Sequence, residues 1–202
     1  MARAAQDGGA VAIRCGGVGG IADIAAVAAA VEVPLIGLTK EGNEGVFITP
    51  TVASALAVLA VGAVVVAADG TDRPRPDGSS VEQIAEAVHA AGGLLMADVS
   101  TLSEGVSAYA AGADLIATTL AGYTPYSTPG PAPDLSLLTE LRRALPGAPL
   151  VAEGRYHTPD EAAAAIAAGA TSVVVGTAIT DPAWITRTFA TAVEGVTAGP
   201  GM

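Results

Sequence analysis

Two residues of opposite charge, Lys40 and Glu153, each follow a short apolar run that is typical of a buried strand. The run "PLIGLTK" ends in the lysine, and the run "PLVAEGR" carries the acid. The chain uses lysine once, against eight arginines. An arginine stays charged at any usable pH, whereas a lysine in a desolvated site can lose its proton near neutrality. The placement of Lys40 therefore indicates a proton carrier or a Schiff base, with a chance position on a loop as the alternative.

Glu153 is a suitable partner for this lysine. A cation and a carboxylate on opposite sides of a bound substrate can move a proton from one face of a carbon to the other. The alternative is a structural ion pair between Glu153 and Arg155 or Arg14, an interaction that contributes little when it is exposed to solvent.

A repeat in the sequence sets the spacing of these positions. Gly-Ala pairs followed by apolar runs begin at residues 9, 62, 112 and 169, and further apolar runs lie between them. Each interval holds two strand-and-helix units of about 25–28 residues, the length of a βα repeat. The runs are almost wholly apolar, as expected of a parallel sheet that is covered on both faces. Ala-rich helical segments such as 81–93 and 160–170 separate them and end in glycine.

The repeat predicts an α/β fold, a (β/α)8 TIM barrel that lacks its first strand. A closed barrel of this kind has eight strands, and only nine residues precede the first apolar run. A seven-stranded open sheet is the alternative, but the one dinucleotide-like turn, "CGGVGGI", lacks the acidic partner downstream. We expect one catalytic domain over residues 1–195 and a disordered tail over 196–202. The predicted strands are 10–14, 34–39, 63–68, 93–98, 113–118, 149–153 and 171–176.

Polar residues follow most of these predicted strands. In a barrel the catalytic groups project from the carboxyl ends of different strands onto one mouth, although a strand can also end in polar residues simply because it reaches solvent. We expect Asp69 and Asp98 to orient other groups or to bind substrate hydroxyls, with a turn-forming role for Asp69 as the alternative. The candidates at the strand ends are Arg14, Lys40, Asp69, Asp98, Thr118, Thr119, Glu153 and Gly176.

The loops after the last two predicted strands indicate a phosphate site. "EGRYHTPDEA" and "GTAITDP" supply glycines, hydroxyls and helix starts, with Thr158 as a helix N-cap. Backbone N–H groups in these two loops commonly bind phosphate in barrels of this type. Small residues in tight βα turns are the alternative. The candidates are Gly154, Arg155, Gly176 and Thr177.

Composition excludes several classes of partner. A net charge of −11 argues against a nucleic acid or an anionic membrane. No apolar run approaches the roughly 18–20 residues of a membrane span, and the N-terminus lacks the apolar stretch of a secretory signal. The single cysteine, Cys15, cannot form an internal disulfide, which favours a reducing cytoplasm. We therefore expect a cytoplasmic protein with a small-molecule partner.

Taken in order, the strand ends resemble those of the N-acetylmannosamine-6-phosphate 2-epimerases, the NanE family. The resemblance runs from residue 1 to about 195, and "DGTDRPRP" and "AEGRYHTP" are specific to that family. It implies a (β/α)8 barrel that interconverts N-acetylmannosamine 6-phosphate and N-acetylglucosamine 6-phosphate in sialic acid catabolism. The segments that carry it are "GAVAIR", "PLIGLTK", "AADGTDRPRP", "ADVST", "ATTLAGYT", "VAEGRYHTP" and "GTAIT".

The resemblance also implies roles for individual residues. The family's catalytic lysine and glutamate correspond to Lys40 and Glu153, and its sugar-binding arginine and aspartate to Arg14 and Asp98. Its phosphate loops correspond to 154–155 and 176–177. No metal or redox cofactor is expected, because the C1 carbonyl of the opened sugar already acidifies C2. Which of Lys40 and Glu153 takes the proton is left open.

Two departures from the family pattern are visible. The family has a further strand, ending in a glutamine that faces the substrate, before the point where this chain begins. We therefore expect that the natural start lies upstream or that the chain is truncated, and that an exposed gap between the first and last strands lowers stability. Many members also have an arginine where this chain has Asp181, an acid that would repel phosphate if it faced the site.

Two rival functions fit parts of the pattern. A pentose-phosphate 3-epimerase would require metal-binding histidines at the strand ends, and the chain has only His89 and His157. An inactive or regulatory sugar-phosphate-binding barrel would keep the phosphate loops without catalysis. Members of the resembled family are commonly oligomeric, so a homo-oligomer is a further expectation.

Overall fold

The computed structural model describes residues 1–197 of the chain. Strands and helices alternate along it. The strands are β1 (Ile13–Cys15), β2 (Leu35–Gly37), β3 (Val65–Asp69), β4 (Leu94–Asp98), β5 (Leu115–Ala117), β6 (Leu150–Glu153) and β7 (Ser172–Val174). The helices are α1 (Ala2–Asp7), α2 (Gly20–Ala28), α3 (Val52–Ala60), α4 (Val81–Ala90), α5 (Leu102–Ala110), α6 (Leu135–Ala144), α7 (Pro159–Ala167), α8 (Thr177–Thr180) and α9 (Pro182–Thr197).

The sheet has the order β1-β2-β3-β4-β5-β6-β7, and each strand runs parallel to the next. A doubly wound sheet would reverse this order at a switch point, so the barrel prediction is confirmed and the open-sheet alternative is wrong. Each predicted strand has a counterpart, and every observed strand is shorter than its prediction. Within residues 1–197 no ladder joins β1 to β7, and the barrel is therefore nearly closed rather than complete.

The side chains of each strand alternate between two apolar layers. Val66 and Ala68 of β3 face outward into the layer between sheet and helices, whereas Val65 and Ala67 face the barrel interior. This is the period of two that a pleated strand imposes. Continued for one more residue, the alternation directs Asp69 to the interior side of the sheet.

The same alternation holds at the ends of the neighbouring strands. Met96 of β4 and Val151 of β6 face the interior, and Asp98 and Glu153 follow each of them by two residues. Arg14 lies between Ile13 and Cys15, which both pack against the outer layer. The pleat therefore brings one cation and several carboxylates to the same end of the barrel.

Side-chain caps fix where the helices α3 to α7 begin after their βα loops. The Thr158 hydroxyl accepts a hydrogen bond from the Glu161 backbone N–H, and the Glu161 carboxylate accepts one from the Thr158 N–H in return. The predicted cap at Thr158 is thus confirmed. Thr101 with Glu104 and Ser80 with Gln83 form the same reciprocal motif.

The C-terminal helix α9 continues to Thr197, so residues 196 and 197 of the predicted tail are helical. Residues 198–202 of that tail lie outside the described residues. Among the helices of the described chain, none is long and apolar enough to cross a bilayer.

Gly37 of β2 lies where a side chain has no room. An added Cβ would lie 2.5 Å from Val58 Cγ1 and 2.8 Å from the Ala63 Cβ. We predict that Gly37→Ala lowers the free energy of unfolding by about 1–3 kcal/mol through overpacking, measured by urea denaturation. Gly147→Ala, where nothing lies within 4 Å, is the matched control. Equal unfolding midpoints for the two variants would contradict this packing.

Candidate active site

A cavity of about 460 Å³ opens at the carboxyl ends of the strands. It contains both residues that the sequence suggests for proton transfer, Lys40 and Glu153, together with all four predicted phosphate ligands. Catalytic sites of this fold lie at this end of the barrel. The lining residues are Lys40, Phe47, Ile48, Thr119, Leu120, Tyr123, Glu153, Gly154, Arg155, Tyr156, His157, Val174, Gly176 and Thr177.

An ion cluster of Arg14, Asp98 and Glu153 lies beside this cavity. The Arg14 guanidinium donates to both Asp98 oxygens, with Nη1–Oδ1 at 3.0 Å and Nη2–Oδ2 at 2.6 Å. Its Nη1 also lies 2.8 Å from Glu153 Oε2. The side chains of Arg14 and Asp98 are 8% and 0% exposed, and that of Glu153 is 17% exposed. One cation is thus shared between two carboxylates from strands on opposite sides of β5.

Burial raises the pKa of Glu153 to about 7, because the charged carboxylate loses solvation. The Arg14 charge opposes this shift in the pKa, the Asp98 charge adds to it, and Lys40 lowers it slightly. Burial also disfavours the charge on Arg14, but the two carboxylates outweigh it and the pKa of Arg14 is raised. Glu153 can therefore either accept or donate a proton near neutral pH.

Two neighbouring threonines hold Glu153 in place. The Thr119 hydroxyl lies 2.7 Å from Asp98 Oδ1 and 3.1 Å from Glu153 Oε2. The Thr118 hydroxyl donates to the Glu153 carbonyl at 2.9 Å and accepts from the Glu153 N–H at 3.0 Å. The Glu153 backbone and carboxyl group are thus fixed by the two residues that follow strand β5.

Lys40 lines the cavity at its rim, but the residue is exposed to solvent. The desolvated pocket expected for this lysine is therefore not found at Lys40. Its ammonium group lies close enough to Glu153 to influence that carboxyl electrostatically.

The predicted phosphate ligands line the turns after β6 and β7. Gly154 adopts φ 106°, a conformation that favours glycine, and Gly176 caps the short helix α8, which begins at Thr177. Arg155 lines the cavity as well, and a phosphate contact by its side chain stays a prediction. Its guanidinium donates to the carbonyls of Ala132 and Ala121, each at 2.8 Å.

Arg155 also lies over the ring of Tyr123, with Cζ 5.1 Å from the ring centroid, a cation–π distance. It thereby ties the proline-rich loop 121–132 to the turn after β6. The Arg155 charge remains at the edge of the cavity, while the guanidinium hydrogen bonds to Ala121 and Ala132 go to this loop.

Asp69 is not among the cavity-lining residues. Its Oδ1 accepts hydrogen bonds from the backbone and hydroxyl of Thr71, and its Oδ2 accepts one from Arg73 at 2.5 Å. Its backbone carbonyl accepts from Arg75. These contacts organise the "DGTDRPRP" loop, which fits the turn-forming alternative. A substrate contact by Asp69 stays a prediction.

The Asp181 carboxylate is directed to the start of α9, where it accepts a hydrogen bond from the Trp184 N–H at 2.9 Å. Asp181 is not among the cavity-lining residues. The repulsion of phosphate considered from the sequence therefore has no support in this geometry.

The structure adds several residues that sequence reasoning did not assign to the site. Phe47 and Ile48 reach the cavity from a hairpin after β2, and Tyr123 reaches it from the loop after β5. The His157 ring packs against Trp184, with centroids 4.7 Å apart. The apolar run "VFITP" was a usable signal for the first two, because an apolar stretch so soon after Lys40 is typical of a returning strand.

Comparisons with known proteins give a consistent result. The family NanE, described as "Putative N-acetylmannosamine-6-phosphate epimerase", matches residues 1–195. A Corynebacterium glutamicum relative named "Putative N-acetylmannosamine-6-phosphate 2-epimerase" is 51% identical over 94% of this chain and 82% of its own length. A relative of the same name from Cutibacterium acnes is 47% identical over 94% of this chain and 82% of its own length.

A solved structure is similar as well. The N-acetylmannosamine-6-phosphate 2-epimerase from Clostridium perfringens aligns with a TM-score of 0.89 and 41% identity. The alignment covers 95% of this chain and 83% of that chain.

The ion cluster predicts how Glu153 titrates. We expect ¹³C NMR of carboxyl-labelled glutamate to show one midpoint near 7, absent in Glu153→Gln. Asp98→Asn removes a repelling charge and should lower this midpoint, whereas Thr119→Val removes a hydrogen bond to the carboxylate and should raise it. Glu161, whose pKa is lowered by hydrogen bonds from the backbone of His157 and Thr158, serves as an internal reference. A Glu153 midpoint in the ordinary glutamate range contradicts the cluster geometry.

Proposed function

Because this chain belongs to the NanE family of N-acetylmannosamine-6-phosphate epimerases, we propose that it interconverts N-acetylmannosamine 6-phosphate and N-acetylglucosamine 6-phosphate, in the catabolism of sialic acid. The finer classification we propose is N-acylglucosamine-6-phosphate 2-epimerase, a carbohydrate isomerase. The proposal combines membership of this family with a site whose groups can invert the configuration of a carbon atom.

The observation that carries the proposal is the presence of Lys40 and Glu153 on one cavity. Lys40 follows β2 and Glu153 ends β6, and these two strands are separated by three others in the sheet order. A proton donor and a proton acceptor so separated can address the two faces of one carbon. A carboxyl pKa of about 7 makes both protonation states of Glu153 available near neutrality.

The reaction itself is a proton transfer at C2. In the open-chain aldehyde, the C2–H bond is acidified by the neighbouring C1 carbonyl. One of the two groups takes the C2 proton, and the bonding electrons move into the carbonyl to give an enolate. The other group returns a proton to C2 on the opposite face. The reverse reaction uses the same two groups in exchanged roles, and the choice of base in each direction stays open.

Substrate binding is proposed to use both ends of the cavity. Arg14, Asp98 and Thr119 are proposed to contact the sugar next to Glu153, a role supported by their hydrogen-bonded cluster. Gly154, Gly176 and Thr177 are proposed to bind the phosphate through backbone N–H groups, because N–H groups at such turns suit anions. Arg155 contributes positive charge from its position against loop 121–132.

The remaining parts of the proposal follow from composition and family. We propose a cytoplasmic location, one catalytic domain over residues 1–195, and a phosphosugar as the small-molecule partner. A homo-oligomer stays a prediction. The chemistry requires no metal or redox cofactor, because the substrate's own carbonyl stabilises the carbanion.

We predict that the protein converts N-acetylmannosamine 6-phosphate in D2O into the gluco epimer, with loss of the C2–H signal in proton NMR. Lys40→Arg and Glu153→Gln should each lower kcat by about 10²-fold or more, the usual contribution of a general acid or base. Glu86→Gln, on the exposed face of α4, is the matched control and should retain full activity.

Two results would count against this function. Binding of the phosphosugar without any C2 exchange would favour the inactive sugar-phosphate-binding barrel. Full activity in Lys40→Arg would remove the proton-transfer role of Lys40 while leaving the epimerase assignment intact.

A further inference from the structure

Lys40 is carried by a short antiparallel hairpin that extends from β2. The chain passes Lys40, turns through residues 42–45 and returns as residues 46–49. Lys40 pairs with Ile48, and backbone hydrogen bonds of 2.9 Å run from Glu41 N to Phe47 O and from Thr49 N to Thr39 O. The returning strand is also joined to β3, because Asp69 N donates to Ile48 O at 3.0 Å. The position of Lys40 therefore depends on the register of this hairpin.

Thr49 closes the hairpin in a strained conformation. Its φ of 41° lies in the left-handed region, which a β-branched residue rarely adopts. The residue is 0% exposed. Glycine or asparagine would occupy this backbone with less strain. A threonine in this conformation indicates that its side chain makes an interaction that offsets the backbone strain. Strained residues of this kind cluster at functional sites.

The side chain supplies a hydroxyl that is used in both directions. Thr49 Oγ1 donates to the Ala67 carbonyl of β3 at 2.7 Å and accepts from the Thr39 N–H at 3.1 Å. One buried hydroxyl thus fixes the residue immediately before Lys40 to strand β3. Removal of the hydroxyl leaves a buried N–H and a buried carbonyl without this partner.

The residue after Lys40 is held on the side away from the cavity. The Glu41 carboxylate accepts from the Thr39 hydroxyl at 2.8 Å and from the Ser54 hydroxyl of α3 at 2.5 Å. Thr39 and Glu41 are thereby directed together toward α3. Side chains alternate along an extended strand, so Lys40 is directed to the opposite side, where it lines the cavity.

We propose that Thr49 is a positioning residue for the reaction: its buried hydroxyl fixes the hairpin register that places the Lys40 ammonium group opposite Glu153. This inference rests on the proposed function. Proton transfer depends on close placement of the donor, to within about 1 Å, whereas the proposed phosphate contacts lie in the turns after β6 and β7. Loss of the hydroxyl should therefore lower kcat and leave KM almost unchanged.

The test compares three variants at residue 49 with one matched control. Thr49→Val keeps the shape and removes the hydroxyl, Thr49→Ser keeps the hydroxyl, and Thr49→Gly removes the hydroxyl while relieving the backbone. The Thr49→Gly variant keeps the test available if Thr49→Val does not fold. Thr171→Val is the control, because the Thr171 hydroxyl accepts from Leu150 N at 3.2 Å at the opposite end of the barrel.

We expect Thr49→Val and Thr49→Gly to lower kcat by about 10-fold or more with KM within about 2-fold, the consequence of a misplaced catalytic group. Thr49→Ser should stay within about 3-fold of the unaltered protein in kcat. Thr171→Val should lower the melting temperature without lowering kcat at 25 °C.

A second readout does not depend on activity. Because Lys40 is the sole lysine, protein labelled with [¹³Cε]lysine gives one lysine resonance, and addition of the phosphosugar should shift it. That ligand-induced shift should shrink in Thr49→Val and Thr49→Gly, and stay unchanged in Thr49→Ser and Thr171→Val.

Several results overturn the inference. Wild-type kcat in Thr49→Val, or an equal loss in Thr49→Ser, would show that the hydroxyl does not position the lysine. A loss of kcat in Thr171→Val as large as that in Thr49→Val would show that the loss of kcat comes from lower stability alone. Failure of the unaltered protein to exchange C2–H would overturn the proposed function and this inference together. Exchange by the unaltered protein, with unchanged kcat in Thr49→Val, would overturn this inference alone.

Discussion

One guanidinium shared between the buried carboxylate of Asp98 and the half-buried carboxylate of Glu153 is the constraint on which the proposed chemistry depends. Arg14 stays charged at any usable pH, and its two-pronged contact goes to Asp98. Glu153 contacts only one nitrogen of the Arg14 guanidinium, with Nη1 and Oε2 2.8 Å apart, and it lies beside the negative charge of Asp98. A single cation cannot compensate fully for two carboxylates removed from solvent, and the pKa of Glu153 therefore rises to about 7. The carboxyl that lines the cavity is thus the one able to gain and lose a proton.

The fold creates this cluster through the pleat of its strands. Alternate residues fill the barrel interior and the outer layer, and the interior alternation ends in polar residues at the carboxyl edge. Parallel neighbours bring these residues level, as the pairing of Asp69 with Asp98 illustrates. Apolar packing therefore fixes the placement of the charges, because a register shift of one residue would turn the apolar residues and the charged residues alike to the wrong layer.

Local signals in the sequence were sufficient to predict the strands, the barrel and the convergence of Arg14, Asp98 and Glu153, because these follow from apolar runs that end in polar residues. Side-chain directions within loops were not predictable, since they depend on partners far along the chain. Arg155 bonds to carbonyls at Ala121 and Ala132, and no local pattern specifies those partners. The same holds for the hairpin that follows β2. It sets the exposure of Lys40 and the conformation of Thr49, and the Thr49 hydroxyl joins it to β3.

A crystal structure with the open-chain alditol 6-phosphate of the substrate would show whether Lys40 and Glu153 flank the reacting carbon, because this analogue keeps C2 but cannot react. We expect C2 to lie between the Lys40 ammonium group and the Glu153 carboxyl group, one on each face, with the phosphate at the turns after β6 and β7. A bound analogue whose C2 contacts neither group, or meets both on the same face, would contradict this expectation.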